Sequence, residues 1–252
     1  MLIHDRPTGA RIQFMATCLC DAFFPQVARA AVEVLEHAGC EVHFPEDQTC
    51  CGQPAFNSGD WESSRAVVRH CCHVFQGEDP VVSPSGSCAD MLLHGAPLEF
   101  EKQADEAAVQ QLGHRTWELA DYLVHARGMT QWTGRFPHRV AFHQSCHSRG
   151  TRSGEAARQL LESIDGLELV ALEDREQCCG FGGAFSVSFP NISTGMGQLK
   201  LEHVMQTQAD VLVSADMGCL MHLGGLIQKE QRGPRTLHLA EVLAAALTSS
   251  AA

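Results

Sequence analysis

The sequence predicts an α/β fold of two tandem pseudo-symmetric repeats, each a small parallel-sheet unit with cysteines on loops at the carboxyl ends of its strands. Short apolar runs alternate with amphipathic segments, a rhythm typical of parallel α/β sheets. A vicinal cysteine pair followed by glycine occurs twice, as Cys50-Cys51-Gly52 and as Cys178-Cys179-Gly180. Cys18 precedes the first pair and Cys146 precedes the second, each with 31 residues between.

The repeat extends well beyond the cysteines. Segments 11–51 and 139–179 align without a gap at a constant offset of 128. Residues 128–137 contain two glycines and a proline and form the natural linker. We therefore expect a first cysteine-rich repeat at 11–132 and a second at 133–252.

The elements of the first repeat follow from apolar spacing and helix-end signals. Pro25 opens a helix whose apolar residues recur at helical spacing, and Gly39 closes it. Polar caps at 57–60 begin the next helix. The predicted elements, in order, are a strand at 12–16, a helix at 25–38, a strand at 41–44, a helix from 57–60 to 75 and a strand at 81–82.

The second repeat follows the same plan. Its predicted elements are strands at 140–143, 167–172 and 211–213 and helices at 156–164 and 192–208. The acidic segment 97–112 of the first repeat, which includes Glu99, has no counterpart here. We interpret that segment as a solvated helix or connector.

Each predicted strand leads directly to a cysteine or a cysteine pair. Sites in parallel α/β sheets gather beyond the carboxyl ends of the strands, so loops distant in sequence can meet there. The first repeat is therefore expected to join the four thiols of Cys18, Cys50, Cys51 and Cys88. The second is expected to join those of Cys146, Cys178, Cys179 and Cys219.

Composition excludes several classes of partner. The formal charge is −12, and the 18 basic residues form no run, so nucleic acid and anionic membrane surfaces are disfavoured by repulsion. The N-terminal residues lack the pattern of a signal peptide, and no apolar stretch approaches the roughly 18 residues of a spanning helix. We expect a cytoplasmic protein whose twelve cysteines are metal ligands rather than disulfides.

Four converging thiolates can hold either zinc or iron with inorganic sulfide, and the ligand type alone does not decide between them. Adjacent cysteines are awkward chelators of one tetrahedral ion but can bind neighbouring irons of a cluster. Gly180, Gly182 and Gly183 are expected to leave space for such a cluster. Iron–sulfur is therefore favoured, and zinc is the alternative, at the first site in particular.

The order of a cysteine, a Cys-Cys-Gly and a last cysteine resembles the cysteine-rich (CCG) domain of heterodisulfide reductase and of the glycolate oxidase iron–sulfur subunit. Longer strings resemble the lactate utilisation protein A family, and the likeness covers nearly the whole chain after residue 10. These strings are Cys50-Cys51-Gly52-Gln53-Pro54-Ala55, Pro84-Ser85-Gly86-Ser87-Cys88, Cys178-Cys179-Gly180-Phe181-Gly182-Gly183 and Ala215-Asp216-Met217-Gly218-Cys219-Leu220-Met221-His222.

The resemblance implies an electron-transfer subunit with [4Fe-4S] clusters in a complex that oxidises L-lactate, a 2-hydroxy acid, to pyruvate. It implies two partners, an iron–sulfur protein and a second small protein, so the chain is expected to be part of an oxidoreductase complex rather than a complete enzyme. A small 2-hydroxy acid is a candidate ligand. Two alternatives stay open, a cluster-based thiol/disulfide reductase subunit and a structural zinc-binding scaffold protein.

Relatives with non-cubane clusters use five cysteines per motif, the last two as Cys-x-x-Cys. Here Met91 and His222 occupy the fifth positions. The non-cubane assignment therefore does not carry over, and either four-cysteine ligation or a cluster with an open or histidine-ligated iron is expected. His222 and Cys20 are candidate additional metal ligands.

Three residues near Cys146 are candidates for a catalytic role. The imidazoles of His143 and His147 could donate to a cluster sulfur or move a proton near neutral pH. Arg149 could bind a carboxylate such as that of lactate. The alternative for each is an ordinary polar loop residue. Cys40, Cys71 and Cys72 are expected to serve in packing.

Overall fold

A computed structural model describes residues 11–248. The described residues form two compact units, of which the first ends at Gly128 and the second begins at Met129. The break lies at the start of the predicted linker. Trp132 is buried within the second unit, where its indole Nε1 donates a hydrogen bond to the carbonyl oxygen of Leu243 at 2.9 Å.

The first unit contains one four-stranded sheet and short helices that connect its strands. The strands are β1 (Arg11–Phe14), β2 (Glu41–His43), β3 (Val81–Ser83) and β4 (Thr116–Glu118). The helices are α1 (Cys18–Phe23), α2 (Pro25–His37), α3 (Gln53–Asn57), α4 (Trp61–Val74), α5 (Gly86–Asp90), α6 (Ala96–Glu99), α7 (Glu106–Arg115) and α8 (Leu119–Asp121), with π-helical turns at Met91–Gly95 and Tyr122–Ala126.

All strands of the first sheet are parallel, in the order β2-β1-β3-β4. The chain runs to one side of β1 to make β2 and then to the other side to make β3. The carboxyl ends of β1 and β3 therefore flank a switch point, where parallel sheets leave a crevice. Cys18 and Cys88 follow these two strands, so the topology brings their loops to one edge.

The second unit repeats this architecture. Its strands are β5 (Arg139–Phe142), β6 (Glu168–Val170), β7 (Val211–Ser214) and β8 (Arg235–His238), in the parallel order β6-β5-β7-β8. Its helices are α9 (Ser153–Glu162), α10 (Ala184–Ser188), α11 (Pro190–Gln206), α12 (Met217–Glu230) and α13 (Leu239–Thr248), with a 3₁₀ turn at Cys146–Ser148. The predicted pair of parallel-sheet α/β repeats is confirmed.

The gapless alignment of the two repeats is wrong in detail. Arg11 pairs with Glu41 in the first sheet, whereas Arg139 pairs with Glu168 in the second. Strand β6 therefore begins one residue earlier than the constant offset predicts. Relative to the first repeat, the second has one residue fewer before β6 and one residue more between β6 and Cys178. The number of residues between the cysteines is therefore the same in both repeats, and the cysteine spacing does not show the change.

A further one-residue shift separates α4 from α11. Gly52 lies against Ser64 of α4, and Gly180 lies against Ser193 of α11. Counted from the first residue of each helix, Cys71 corresponds to Lys200, and both side chains are buried. The constant offset would instead pair Cys71 with Leu199, a side chain that is exposed.

The prediction of a solvated segment at 97–112 holds for much of its length, because most residues from 101 to 111 are exposed, but it is wrong for the residues that face the core. Glu99 on α6 is only 3% exposed. Val109 and Leu112 on α7 pack into the same apolar cluster as Cys51 and Cys88. The two apolar residues lie on one face of α7, and that face covers the core despite the acidic residues around it.

None of the helices within residues 11–248 has both the length and the apolar character needed to cross a membrane.

Candidate metal centres

The four predicted cysteines of the first unit lie together at the carboxyl edge of its sheet. Cys18 is the first residue of α1, Cys50 and Cys51 lie in the loop between β2 and α3, and Cys88 lies in α5. The sulfur of Cys18 is 3.8 Å from that of Cys50, and the Cys51 thiol contacts both Cys50 and Cys88. Cys51 and Cys88 are buried, whereas Cys18 is exposed at the mouth of the site.

Helix caps and one glycine position these cysteines. The hydroxyl of Thr17 accepts a hydrogen bond from the amide of Cys20, and the hydroxyl of Ser85 accepts one from the amide of Cys88 at 3.3 Å. Gly52, which follows the vicinal pair, has a φ of 93°. That conformation favours glycine and turns the chain from the pair directly into α3.

The electrostatics of the first centre suit a bound cation. Hydrogen bonds from the Cys18 and Cys51 thiols lower the pKa of Cys50. The same bonds raise the pKa values of Cys18 and Cys51 above that of an ordinary thiol. Further deprotonation would place like charges in contact, which a metal ion compensates.

The second unit brings together the other four predicted cysteines. Cys146 opens the 3₁₀ turn after β5, Cys178 and Cys179 lie in the loop after β6, and Cys219 lies in α12. The sulfurs of Cys179 and Cys219 are 3.1 Å apart. Hydrogen bonds from Cys146 and Cys179 lower the pKa of Cys178, as the corresponding hydrogen bonds do for Cys50 in the first site.

Backbone amides and a close helix approach support the second pair. The amide of Gly180 donates to Cys178 Sγ at 3.4 Å, and that of Phe181 donates to Cys179 Sγ at 3.5 Å. Gly180 has a φ of +91°, and a Cβ there would lie 2.5 Å from the carbonyl oxygen of Ser193. Gly180 therefore allows α11 to pack closely against the cysteine pair and does not leave the space for a cluster that the sequence had suggested. Gly183, in contrast, faces open space.

His143 is the residue immediately after β5 and is fully buried. Among residues 11–248, neither of its ring nitrogens has a hydrogen-bond partner. A ring nitrogen of His143 and the sulfurs of Cys179 and Cys219 all lie within 4.8 Å of one another. Burial, assisted by the charge of Lys200, lowers the pKa of His143 to about 3, so the imidazole is neutral.

The other candidate residues occupy less enclosed positions or are already engaged. His147 is half-buried, and Arg149 is exposed at the end of the turn that carries Cys146. His222 lies with Nε2 3.2 Å from the carbonyl oxygen of Ser193. Cys20 is fully buried in α1. The ligand or catalytic roles of these residues stay predictions.

Two residues beside the cysteine pairs were missed by the sequence reasoning. Cys71 donates its thiol proton to the carbonyl oxygen of Cys50 at 3.2 Å. Lys200, its counterpart, is buried and donates from Nζ to the carbonyl oxygens of Asp174 and Arg175 at 2.9 and 3.3 Å. An alignment of α4 with α11 would have identified both positions, but the one-residue shift between the two helices conceals that alignment.

The donor sets of both centres fit the groups expected from the sequence. Four clustered sulfurs, with one buried imidazole in the second unit, are the soft donors that iron–sulfur clusters and zinc both take. The buried, partnerless imidazole is a polar group that a metal would satisfy.

Comparison with known proteins gives a consistent set of similarities. The family model described as a cysteine-rich domain (CCG) matches residues 12–93 and 140–224. "Lactate utilization protein A 2" of Bacillus cereus (strain AH820) is 42% identical over 240 residues, covering 94% of this chain and 99% of that protein. "Lactate utilization protein A" of Shouchella clausii (strain KSM-K16) is 44% identical over 233 residues, covering 92% and 98%.

One solved structure shares the fold. The crystal structure of a hypothetical protein from Helicobacter pylori aligns with a TM-score of 0.56 at 12% identity. The alignment covers 96% of this chain and 49% of that one, so the chain spans about half the length of that protein.

Proposed function

This chain belongs to the lactate utilization protein A family of cysteine-rich (CCG) domain proteins, and we propose that it is an iron–sulfur electron-transfer subunit of a complex that oxidises L-lactate to pyruvate. The main support is the pair of four-thiol sets, each gathered at the carboxyl edge of its own sheet. They occur in a chain that matches relatives of that name over 94% of its length.

Four cysteines in each unit would hold one iron–sulfur cluster. Cys18, Cys50, Cys51 and Cys88 would hold one cluster, and Cys146, Cys178, Cys179 and Cys219 the other. A bound [4Fe-4S] cluster would take up and release one electron at a time. The amides of Gly180 and Phe181 stabilise negative charge on the Cys178 and Cys179 sulfurs, which favours the reduced state.

The chain would work with partners rather than alone. The segment Gly180-Phe181-Gly182-Gly183 lacks the spacing of a dinucleotide-binding loop and carries cysteines where phosphate would lie. We therefore propose that an iron–sulfur protein and a second small protein supply the remaining steps of lactate oxidation. The reducing cytoplasm is the proposed location, because all twelve cysteines are free thiols.

Anaerobic expression with iron supply, followed by iron, sulfide and zinc quantitation, tests the cofactor. We expect iron and acid-labile sulfide in the full-length chain and EPR signals that change between oxidised and dithionite-reduced samples. Zinc in both sites after this preparation would overturn the proposal.

Turnover tests the activity. The chain, co-purified with its partners, should couple L-lactate oxidation to reduction of an artificial electron acceptor. A preparation that contains the clusters and both partners but reduces only disulfide substrates would contradict lactate oxidation and favour the thiol/disulfide reductase.

A further inference from the structure

The two units differ at one structurally equivalent position beside their cysteine sets. The amide of Met15 donates to the carbonyl oxygen of Val82 at 2.9 Å, and the amide of His143 donates to that of Val213 at 2.8 Å. Each residue directly follows the first strand of its sheet, and each is fully buried. The backbone hydrogen bond is therefore the same at the two positions, and the side chains differ.

The side chain of Met15 is explained by its surroundings. It packs in the apolar cluster that contains Cys51, Cys71 and Cys88. The imidazole of His143 has no such explanation, since neither ring nitrogen has a hydrogen-bond partner within residues 11–248, and an unsatisfied buried ring is unfavourable. Its nitrogen is directed to the sulfurs of Cys179 and Cys219, within 4.8 Å.

We propose that His143 is a ligand of the metal centre in the second unit, so that the first centre has thiolate ligands alone and the second has thiolates and one imidazole. This inference rests on the proposed function only in taking the metal to be the iron of a cluster. Neither the family resemblance nor the cysteine spacing assigns a ligand at this position.

The geometry is compatible with coordination. Metal–nitrogen bonds of about 2.0–2.1 Å and metal–sulfur bonds of about 2.3 Å place the donor atoms about 3.5 Å apart at a tetrahedral ion. Donor atoms within 4.8 Å reach that separation by small side-chain rotations.

His222 is the competing imidazole, but its environment differs. Its Nε2 already lies 3.2 Å from the carbonyl oxygen of Ser193, and its ring packs near Phe181. His143, in contrast, has two buried nitrogens without a hydrogen-bond partner in the part of the chain that the structure describes. The two histidines thus form a matched pair for experiment.

A neutral imidazole added to four thiolates leaves the charge of the ligand set unchanged, so the reduction potentials of the two centres differ through the charges around them. Lys200 is buried close enough to Cys179 and Cys219 to interact with their charges, and its positive charge raises the reduction potential of the second centre. The first unit has Met15 and Cys71 at the two corresponding positions. The second centre is therefore expected to have the higher potential of the two.

Pulsed EPR on the full-length, cluster-loaded chain labelled with ¹⁵N-histidine tests the assignment. Wild-type protein should show strong ¹⁵N hyperfine coupling to one cluster. The His143→Met variant, which introduces the residue of the first unit, should lose that coupling, whereas His222→Gln should retain it. Wild-type clusters without histidine coupling, or coupling that persists in His143→Met, would overturn the assignment.

A rescue variant distinguishes loss of the His143 ligand from loss of the whole cluster. His143→Cys replaces the imidazole with a thiolate, so the second cluster should be retained with a lower reduction potential and no histidine coupling, while the first cluster keeps its potential. An unchanged potential at the second cluster would contradict ligation. Absence of iron and sulfide in wild-type protein would overturn the proposed function itself, whereas clusters without histidine coupling would overturn only this inference.

Discussion

At the scale of single residues, the two members of each vicinal pair have different tasks. Cys178 is half-buried and accepts hydrogen bonds from the neighbouring thiols, whereas Cys179 is buried against Cys219. One outer and one inner sulfur suit an extended cluster better than a single ion. The turn that separates them from α11 depends on Gly180, whose φ is positive and whose α-carbon faces the helix backbone.

Gly180→Ala should destabilise the second unit by roughly 2–4 kcal/mol, because an alanine combines a left-handed backbone with overpacking. The added Cβ would lie 2.5 Å from the carbonyl oxygen of Ser193 and 2.8 Å from Met196 Cβ. Urea unfolding of the metal-free chain measures the effect. Gly150→Ala is the control, since Gly150 has a φ of +69° but nothing within 4 Å of its Cβ position, and it should cost only roughly 1–2 kcal/mol of backbone strain. Equal losses in the two variants would contradict close packing of α11.

At the scale of secondary structure, the sequence allowed the strands and long helices to be predicted because their apolar periodicity is regular. It did not reveal the shift at β6, because the change is compensated before Cys178. It did not reveal the shift at α11 either, because the offset between the repeats rises from 128 at the cysteine pairs to 131 at Cys88 and Cys219 and the cysteines do not show where the extra residues lie. It also misjudged α6 and α7. Charged neighbours obscured the apolar face of α7, and nothing in the sequence shows that Glu99 lies inward.

Glu99 makes α6 sensitive to pH. Ser64 donates to Glu99 Oε1 at 2.9 Å, but Oε2 has no partner among residues 11–248. Burial raises the pKa of this carboxyl above 4.5, so the folded state binds its proton more tightly than the unfolded state. The contribution of Glu99 to stability is therefore present below pH 4.5 and is lost as the pH rises through the folded-state pKa.

Glu99→Gln should thus raise the stability of the chain at pH 7.5 and change it little at pH 4, because glutamine keeps an acceptor for Ser64 and carries no charge. Urea unfolding at both pH values provides the measurement. Glu33→Gln on α2, where the side chain is exposed, is the matched control and should have little effect at either pH. A Glu99→Gln variant less stable than wild type at pH 7.5 would indicate that the carboxylate is stabilised by its surroundings.

At the scale of the whole molecule, each unit has its own sheet, its own core and its own set of four thiols. Equal cysteine spacing made these sets predictable from the sequence. The environment of His143 could not be predicted, because burial and the lack of a hydrogen-bond partner depend on packing around β5. The repeat therefore reveals what the two centres share, and the structure reveals where they differ.

Two separate ligand sets predict two centres that can be removed one at a time. Cys51→Ser should abolish the EPR signal of the first cluster and leave the second unchanged, and Cys179→Ser should do the converse, because a serine hydroxyl stays protonated and binds iron poorly. Both cysteines are buried at the core of their sets, so no neighbouring thiol replaces them without rearrangement.

Cys71→Ser is the control for these variants. Cys71 is also buried and also lies beside Cys50, but its contact is a hydrogen bond to a carbonyl oxygen, which a serine hydroxyl can still donate. Both cluster signals should therefore persist in Cys71→Ser.

An unchanged spectrum in Cys179→Ser would end the assignment of that thiol as a ligand. Loss of both signals in Cys51→Ser would show that the first centre is needed to assemble the second. If the EPR spectra of Cys51→Ser and Cys179→Ser add up to the spectrum of the wild-type protein, the two centres form independently.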